Sequence, residues 1–199
     1  AEGVFRHITN HTRPNAHPMI SSIDSCGTAA YHAGEPPDPR TLSVLKSHNI
    51  TSSFYKHQAR KFRNSDFKDF DYIFPMDVAN EEDLLSLRRR LIKKGELKEE
   101  EAGEVMLFGV WGGKGKEEVD DPYYGGNKGF EIAYEQVERF SNGFVKMLEE
   151  RGQAKTERDA NDKQEHRHRH RGTKTLIPMQ DIMTLTKRQT GQSVIDKGP

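Results

Sequence analysis

Residues 121–126 read Asp-Pro-Tyr-Tyr-Gly-Gly and bring a carboxylate next to two aromatic rings. Proline fixes one backbone angle and glycine accepts positive φ, so the segment predicts a turn. Directly after it, apolar residues recur at intervals of three or four, which predicts a long helix with one buried face. The predicted buried face consists of Phe130, Tyr134, Val137, Phe140 or Ser141, Phe144 and Leu148.

Upstream of this turn, helix-like and strand-like segments alternate along the chain. Such alternation predicts an α/β fold in which helices flank a parallel sheet. Proline at a first helical position and an Asn N-cap mark two of the helix starts. The predicted segments are helix 1–10, strand Met19 to Ser25, a helix from Pro39 to Asn49, strand Tyr72 to Met76, a helix capped by Asn80 and strand Val105 to Phe108.

The composition of the 199 residues predicts one domain and a tail. Only 33% of the residues are hydrophobic, and 31 basic residues balance 31 acidic ones. This balance gives no net field to attract nucleic acid or an anionic membrane. Residues 155–171 hold almost no apolar side chain, so they cannot repay the entropy of ordering. We therefore expect a domain over residues 1–151 and a disordered, charged tail over residues 152–199.

Cys26 is the single cysteine of the chain. One thiol excludes an internal disulfide and fits a reducing compartment, so we expect a cytoplasmic protein. No apolar run approaches the length that a membrane span requires. Cys26 has no Arg six residues later and no helix start directly after it, so we interpret it as a small buried core residue.

Four segments occur in an order that resembles the low molecular weight protein tyrosine phosphatases. The resemblance runs from Ala1 to about Arg151, and residues 1–5 look like the start of the helix that follows the phosphate-binding loop of that family. It implies a doubly wound, Rossmann-like sheet of four parallel strands, with the central first strand missing from this chain. The segments are Asp24-Ser25, residues 34–38 (Gly-Glu-Pro-Pro-Asp), residues 70–73 (Phe-Asp-Tyr-Ile) and the turn at 121–126.

The family's phosphate-binding loop, C-x-x-x-x-x-R-S/T, supplies a nucleophilic Cys and a phosphate-binding Arg, and this sequence does not contain it. The sequence begins at Ala rather than Met, so we expect a cut chain or an incomplete gene model rather than a natural start. The resemblance implies that the intact gene product hydrolyses phosphotyrosine proteins or small aryl phosphates through a phosphocysteine intermediate. It implies no metal and no organic cofactor. We expect the chain as given to be inactive.

The resemblance also assigns site residues. Asp121 matches the general acid of the family, with Asp120 as its neighbour and rival. From the residues alone, an Asp before Pro is also an ordinary turn residue. Tyr31, Tyr123 and Tyr124 match aromatic residues that line the substrate cleft. Two further residues match groups that support the phosphate loop from behind it, namely His57 and Asp77.

Two other classes of function stay open at this stage. A non-catalytic relic of a phosphatase would use the tyrosine-rich loop and the basic tail to bind a partner. An arsenate reductase would share the fold but needs further redox cysteines, which disfavours it. The tract from His166 to Arg171 alternates His and Arg, and we interpret it as a solvated run rather than a metal or nucleic-acid site, with weak nucleic-acid binding as the alternative.

A missing central strand has a physical consequence. Neighbouring strands lie about 4.8 Å apart, so its removal leaves two rows of backbone groups about 9.6 Å apart. Groups at that distance cannot hydrogen-bond to each other, and each buried unsatisfied group costs about 1–3 kcal/mol. We expect the chain as given to be unstable, to aggregate, or to close this gap by a rearrangement.

Overall fold

Helices and short strands alternate along the chain, as the computed structural model shows for residues 1–29, 32–51, 57–122 and 127–169. Two 3-10 helices, Glu99–Glu101 and Phe108–Gly112, lie on either side of the second strand. No helix in these ranges is both long and apolar enough to cross a bilayer. The elements are α1 (Glu2–Ile8), α2 (Pro39–Ser47), α3 (Asp66–Asp69), β1 (Tyr72–Ile73), α4 (Val78–Lys93), β2 (Glu104–Val105) and α5 (Asn127–Arg169).

The sheet consists of β1 and β2, which run parallel with Tyr72 opposite Glu104 and Ile73 opposite Val105. The α/β class and the parallel sheet are therefore confirmed. Within the described ranges, two of the three strands expected in this chain form. The strand expected at Met19 to Ser25 is wrong, because residues 20–26 form neither helix nor strand. A cavity separates this segment from β1, so the segment has no neighbouring strand with which to pair.

The inner face of α5 forms the main core, as its spacing predicts. Phe140 and Ser141 are both fully buried, and the Ser141 hydroxyl donates to the Val137 carbonyl at 2.6 Å, which satisfies its polar group inside the core. α5 packs on α1, α2 and the 3-10 helix Phe108–Gly112. The buried residues of this core are Val4, Leu45, Ile50, Phe108, Tyr134, Val137, Phe140, Phe144 and Leu148.

A second, smaller core joins α3, α4 and β2. Phe67 is its centre, with no exposed surface, and its ring meets that of Phe62 edge-on at 4.9 Å. Burying a side chain of this size contributes about 1.5–3 kcal/mol. Its other buried members are Leu84, Leu91, Leu97 and Ala102.

The start of α4 differs from the sequence prediction. Asp77, not Asn80, is the N-cap, since its carboxylate accepts the Asn80 backbone N–H at 2.7 Å and the Asn80 side-chain amide at 2.6 Å. Asp and Asn are nearly equal in N-cap preference. The helix begins at Val78 because the earlier of the two capping residues is the one in extended conformation.

Helix α5 continues through residue 152 to Arg169, into the region that we expected to be disordered. Residues 153–169 contain many good helix formers (Gln, Ala, Lys, Glu, Arg) and no proline, and such a composition favours helix even without a packed face. The domain boundary near residue 152 stays a prediction, and residues 170–199 lie outside the described ranges.

The close contact between α5 and the 3-10 helix requires a glycine at residue 143. A Cβ added to Gly143 would overlap the carbonyl oxygen of Trp111, whereas one added to Gly129 would meet only Pro122 at ordinary contact distance. We predict that Gly143→Ala lowers the free energy of unfolding by about 1–3 kcal/mol. Gly129→Ala should leave it unchanged or raise it by up to about 1 kcal/mol. Urea denaturation followed by circular dichroism measures both, and equal effects would contradict this packing.

Candidate active site

A groove lies between the extended segment 20–28 and β1 with its continuation to Met76. We call it the interstrand groove; its larger part has a volume of about 360 Å³. Phe5 of α1, Phe74 and Leu84 supply apolar walls. At one end the lining becomes polar, with Glu2, Asp24 and Arg60. Such a cavity, apolar with a few converging polar groups, is the usual form of a binding or active site.

Glu2 is the buried anion at the polar end. Its side chain is only 2% exposed, yet it has three polar neighbours. Oε1 accepts a hydrogen bond from Arg6 Nε at 2.7 Å, and Oε2 accepts one from the Ser25 hydroxyl at 2.6 Å. His57 Nδ1 lies 3.0 Å from the same Oε2. Burying a carboxylate is costly unless it is paired and hydrogen-bonded, and these three partners offset that cost.

His57 and Ser25 connect this anion to two other parts of the chain. His57 is largely buried, and its Nε2 lies 3.4 Å from the Ser25 hydroxyl oxygen. Arg6 reaches in the same direction, because Nη2 donates to the Ile23 carbonyl at 2.6 Å. The network therefore ties the first turn of α1 to segment 23–25 and to His57.

Arg60 forms a second network beside the first. Its Nε donates to Asp24 Oδ2 at 2.7 Å and its Nη1 to Asp66 Oδ2 at 2.8 Å. Burial alone would lower the pKa of the guanidinium, but the hydrogen bonds to Asp66 and Asp24 outweigh it and raise the pKa. Arg60 thus remains a fixed cation at the groove.

Glu2, Asp24 and His57 bring one ligand atom each within 4.8 Å of the others, the spacing that a metal ion would need. Both carboxylates, however, already bind a guanidinium, Arg6 in one case and Arg60 in the other. A divalent cation at this point would have to displace or oppose two positive charges at short range. The arrangement fits a hydrogen-bonded ion-pair network better than a metal site.

Cys26 lines the groove and is exposed, so the expectation of a buried core residue is wrong. Its position explains the difference, since segment 20–26 has no strand on the groove side to cover it. The desolvation that neighbouring atoms cause, together with Asp66 and Asp24, raises the pKa of its thiol to about 11, although Arg60 acts in the opposite direction. Because the thiolate is the nucleophilic form, Cys26 is a poor nucleophile near neutral pH.

Asp121 is exposed and lies in the loop before α5. Two residues before Asp121, the Val119 N–H donates to the Met76 carbonyl at 2.8 Å. One residue further back, the Glu118 carboxylate accepts the Val78 N–H at 3.0 Å. Met76 is itself part of the groove lining. Two residues span at most about 7 Å, so Asp121 lies near the groove end where β1 leads into α4.

The other predicted site residues separate into two groups. Asp77 caps α4, as described above, and its predicted support of the phosphate loop stays a prediction. Tyr31, Tyr123 and Tyr124 lie outside the described residues, so their predicted place at the cleft wall also stays a prediction. Of the predicted residues, His57 is the one that the structure brings into the network at the groove.

Comparison with known proteins places this chain in a family. The family model for low molecular weight phosphotyrosine protein phosphatase matches residues 1–154. The Schizosaccharomyces pombe protein of that name is 44% identical over 149 residues, which cover 74% of this chain and 86% of the yeast protein. The Saccharomyces cerevisiae protein is 32% identical, with 73% and 84% covered. The chain belongs to the low molecular weight phosphotyrosine protein phosphatase family.

Solved structures agree with this assignment. A crystal structure of a protein tyrosine phosphatase from Entamoeba histolytica superposes with a TM-score of 0.60 at 33% identity, and covers 75% of this chain and 86% of its own. A Drosophila arginine phosphatase gives a TM-score of 0.61 at 27% identity, with 74% and 87% covered. The Rossmann-like α/β fold expected from the sequence is confirmed.

Sequence reasoning missed the network around His57. Glu2, Arg6 and Ser25 are distant from it in the chain, so no local pattern joins them. One signal was available, because Glu2 and Arg6 are four residues apart on a predicted helix, the spacing at which opposite charges meet. A Glu on the inner side of an amphipathic helix is a buried charge, and a buried charge must have a partner.

The buried network predicts a difference between two helical Glu residues. Glu2 pairs with Arg6 and Glu150 pairs with Lys146, both four residues apart, but the Glu150 side chain is 64% exposed. We predict that Glu2→Gln lowers the free energy of unfolding by about 1–3 kcal/mol, since it removes a charge that buried partners need. Glu150→Gln should change it by less than about 0.5 kcal/mol. Urea denaturation of both variants would contradict this network if their effects were equal.

The raised pKa of Cys26 predicts slow alkylation. We expect the rate of reaction with iodoacetamide to keep rising with pH beyond pH 9.5, because the thiolate fraction still grows towards a pKa of about 11. In urea the same thiol should react faster at pH 8 and level off near its ordinary pKa of about 8.5. Mass spectrometry of the modified peptide measures both rates. Equal native and denatured rates at pH 8 would show that the thiol is not perturbed.

Proposed function

We propose that the intact gene product is a protein tyrosine phosphatase that hydrolyses phosphotyrosine proteins and aryl phosphates in the cytoplasm. The nucleophilic Cys and the phosphate-binding Arg come from a strand and a C-x-x-x-x-x-R-S/T loop encoded upstream of Ala1. Without that loop, residues 1–199 are inactive, because they lack the nucleophile and the group that neutralises the phosphate oxygens. Family membership over residues 1–154 supports this proposal.

The reaction proceeds in two steps. The loop thiolate attacks phosphorus and the bond from phosphorus to the tyrosyl oxygen breaks, while the Asp121 carboxylic acid gives its proton to that oxygen. In the second step the Asp121 carboxylate takes a proton from water, which attacks phosphorus and releases phosphate and the thiolate. We propose that Tyr31, Tyr123 and Tyr124 contact the aromatic ring of the substrate.

One observation carries the assignment of Asp121. The hydrogen bond from the Val119 N–H to the Met76 carbonyl holds the acid-bearing loop at the rim of the interstrand groove. At the polar end of the same groove there is a hydrogen-bonded network of Glu2, Ser25 and His57. A loop that enters there would meet a rigid support, and catalytic groups on rigid supports lose less entropy in reaching the transition state. His57 supports that loop rather than contacting substrate. Asp77 also supports the loop, near the Arg that the loop carries.

The test uses the chain extended upstream by a family strand and loop, with the chain as given as its control. We expect hydrolysis of p-nitrophenyl phosphate and of a phosphotyrosine peptide by the extended protein, and none by the control. A folded, extended protein without activity would contradict the proposal and leave a non-catalytic binding module as the function.

Within the extended protein, Asp121→Asn should lower kcat by about 10² to 10⁴-fold on a phosphotyrosine peptide, the usual contribution of a general acid. The loss should be smaller on p-nitrophenyl phosphate, whose leaving group needs less protonation. Asp120→Asn is the matched control and should change kcat by less than about threefold, since an exposed carboxylate without a proton-transfer role contributes little. A larger loss for Asp120→Asn would transfer the general-acid role to Asp120.

A further inference from the structure

A glycine-rich turn leads from the second 3-10 helix into the loop that carries Asp121. Residues 112–115 read Gly-Gly-Lys-Gly, and Gly113 and Gly115 have positive φ angles of 75° and 81°. Glycine restricts the backbone least of all residues, so a turn of this composition does not by itself fix the loop that follows. The position of residues 117–121 therefore depends on contacts with the rest of the molecule.

The Glu117 side chain makes the first of these contacts. Arg139 of α5 donates from Nη2 to both carboxylate oxygens of Glu117, at 2.8 Å each. Its Nη1 donates to the Gly112 carbonyl at 2.7 Å. Gln136, one helical turn earlier, donates to Glu117 Oε1 at 2.9 Å and to the Glu118 carbonyl at 3.1 Å. Two side chains of one helix thus bind the chain on both sides of the glycine-rich turn.

The surroundings of Arg139 hold its guanidinium in this position. A Cβ added to Gly112 would overlap Arg139 Nη1 and the Phe140 ring, so the guanidinium fills the space beside the turn. It also lies 4.9 Å from the centre of the Phe140 ring. Hydrogen bonds from Gln136 and Arg139 favour the ionised carboxylate and lower the pKa of Glu117. The ion pair is therefore retained as the pH falls, until this lowered pKa is reached.

Further contacts fix the loop on either side of Asp121. Upstream, Gly109 packs so closely on the Glu117 backbone that an added Cβ would overlap the Glu117 carbonyl oxygen. Downstream, Pro122 lies next to Gly129 in the first turn of α5. Asp121 itself is exposed, and only three residues separate it from Glu117. Release of the Glu117 side chain would therefore allow the acid to move.

We propose that Arg139 is a positioning residue for the general acid, because its ion pair with Glu117 holds the Asp121 loop at the rim of the interstrand groove. This role rests on the proposed phosphatase activity, and it belongs to a side chain outside the described lining of the groove. A displacement of about 1 Å can cost about 10²-fold in rate. The effect of Arg139 is confined to steps that need proton transfer by Asp121.

A double-mutant cycle in the extended protein tests whether Arg139 acts through Asp121. Arg139→Gln should lower kcat/KM on a phosphotyrosine peptide by about 10 to 10²-fold, because the loop loses its ion pair. In the Asp121→Asn background the same change should lower kcat/KM by less than about threefold, since the acid that Arg139 positions is already absent. Arg139→Lys keeps the charge and should recover part of the loss. Equal losses in both backgrounds would overturn the inference.

The leaving group gives a second readout, which a general loss of packing would not change. When proton donation is impaired, kcat/KM falls more steeply as the pKa of the leaving group rises. We expect Arg139→Gln to steepen this dependence from p-nitrophenyl phosphate to phenyl phosphate. The matched control is Arg151→Gln, since Arg151 is an exposed arginine of the same helix that donates to the Tyr72 hydroxyl. The control should keep the parent's slope, and a parental slope in Arg139→Gln would overturn the inference.

Amide hydrogen exchange separates this inference from the proposed function, since it needs no hydrolysis. In Arg139→Gln the Val119 amide, which donates to the Met76 carbonyl, should exchange at least about tenfold faster. Arg151→Gln should leave this rate unchanged. If circular dichroism shows that Arg139→Gln does not fold, Glu117→Gln weakens the same pair from the loop side and carries the same expectations. An inactive parent would contradict the proposed function alone, whereas unchanged Val119 exchange would overturn this inference.

Discussion

The packing of the Phe144 ring holds the separate elements of this protein together. From its place on α5 it meets Tyr72 and Phe74 at 4.9 Å each, Trp111 at 5.5 Å and Phe5 at 5.9 Å between ring centroids. These partners come from β1 and its continuation, the 3-10 helix after β2, and α1. Aromatic pairs at such distances contribute about 0.5–1.5 kcal/mol each beyond the area they bury. One side chain thus fixes the helix that carries Glu2 relative to the strand that borders the groove.

With α1 and β1 fixed by α5, the space between β1 and segment 20–28 remains open. The interstrand groove lies there, and its polar end holds the ion pairs of Glu2 with Arg6 and of Arg60 with Asp24 and Asp66. These ion pairs hold segment 23–25 and His57 in place. A strand and loop that entered the groove would therefore meet an ordered network at its polar end.

Physical reasoning from the sequence predicted what depends on local spacing. The face of α5 from Phe130 to Leu148 repeats every three or four residues, and this period alone is enough to identify a buried stripe. The prediction was wrong where two neighbouring choices are nearly equal in energy, as for Asp77 and Asn80 at the start of α4. It also gave Met19 to Ser25 as a strand, although a strand forms only where a partner lies alongside.

The candidate site was harder to predict than the fold. The resemblance to the family assigned roles to His57 and Asp121, but the network around His57 depends on contacts between residues distant in the chain. Glu2 and Ser25 meet only after α1 has packed on α5 and segment 20–26 has turned beside it. Tertiary contacts of this kind have no local pattern in a sequence.

The central claim is that residues 1–154 are the body of a phosphatase whose catalytic loop is encoded upstream. Sequencing the transcript upstream of Ala1 tests it most directly. The account predicts codons for an apolar strand followed by C-x-x-x-x-x-R-S/T, in frame with Ala1. A stop codon or an unrelated sequence at that position would contradict it.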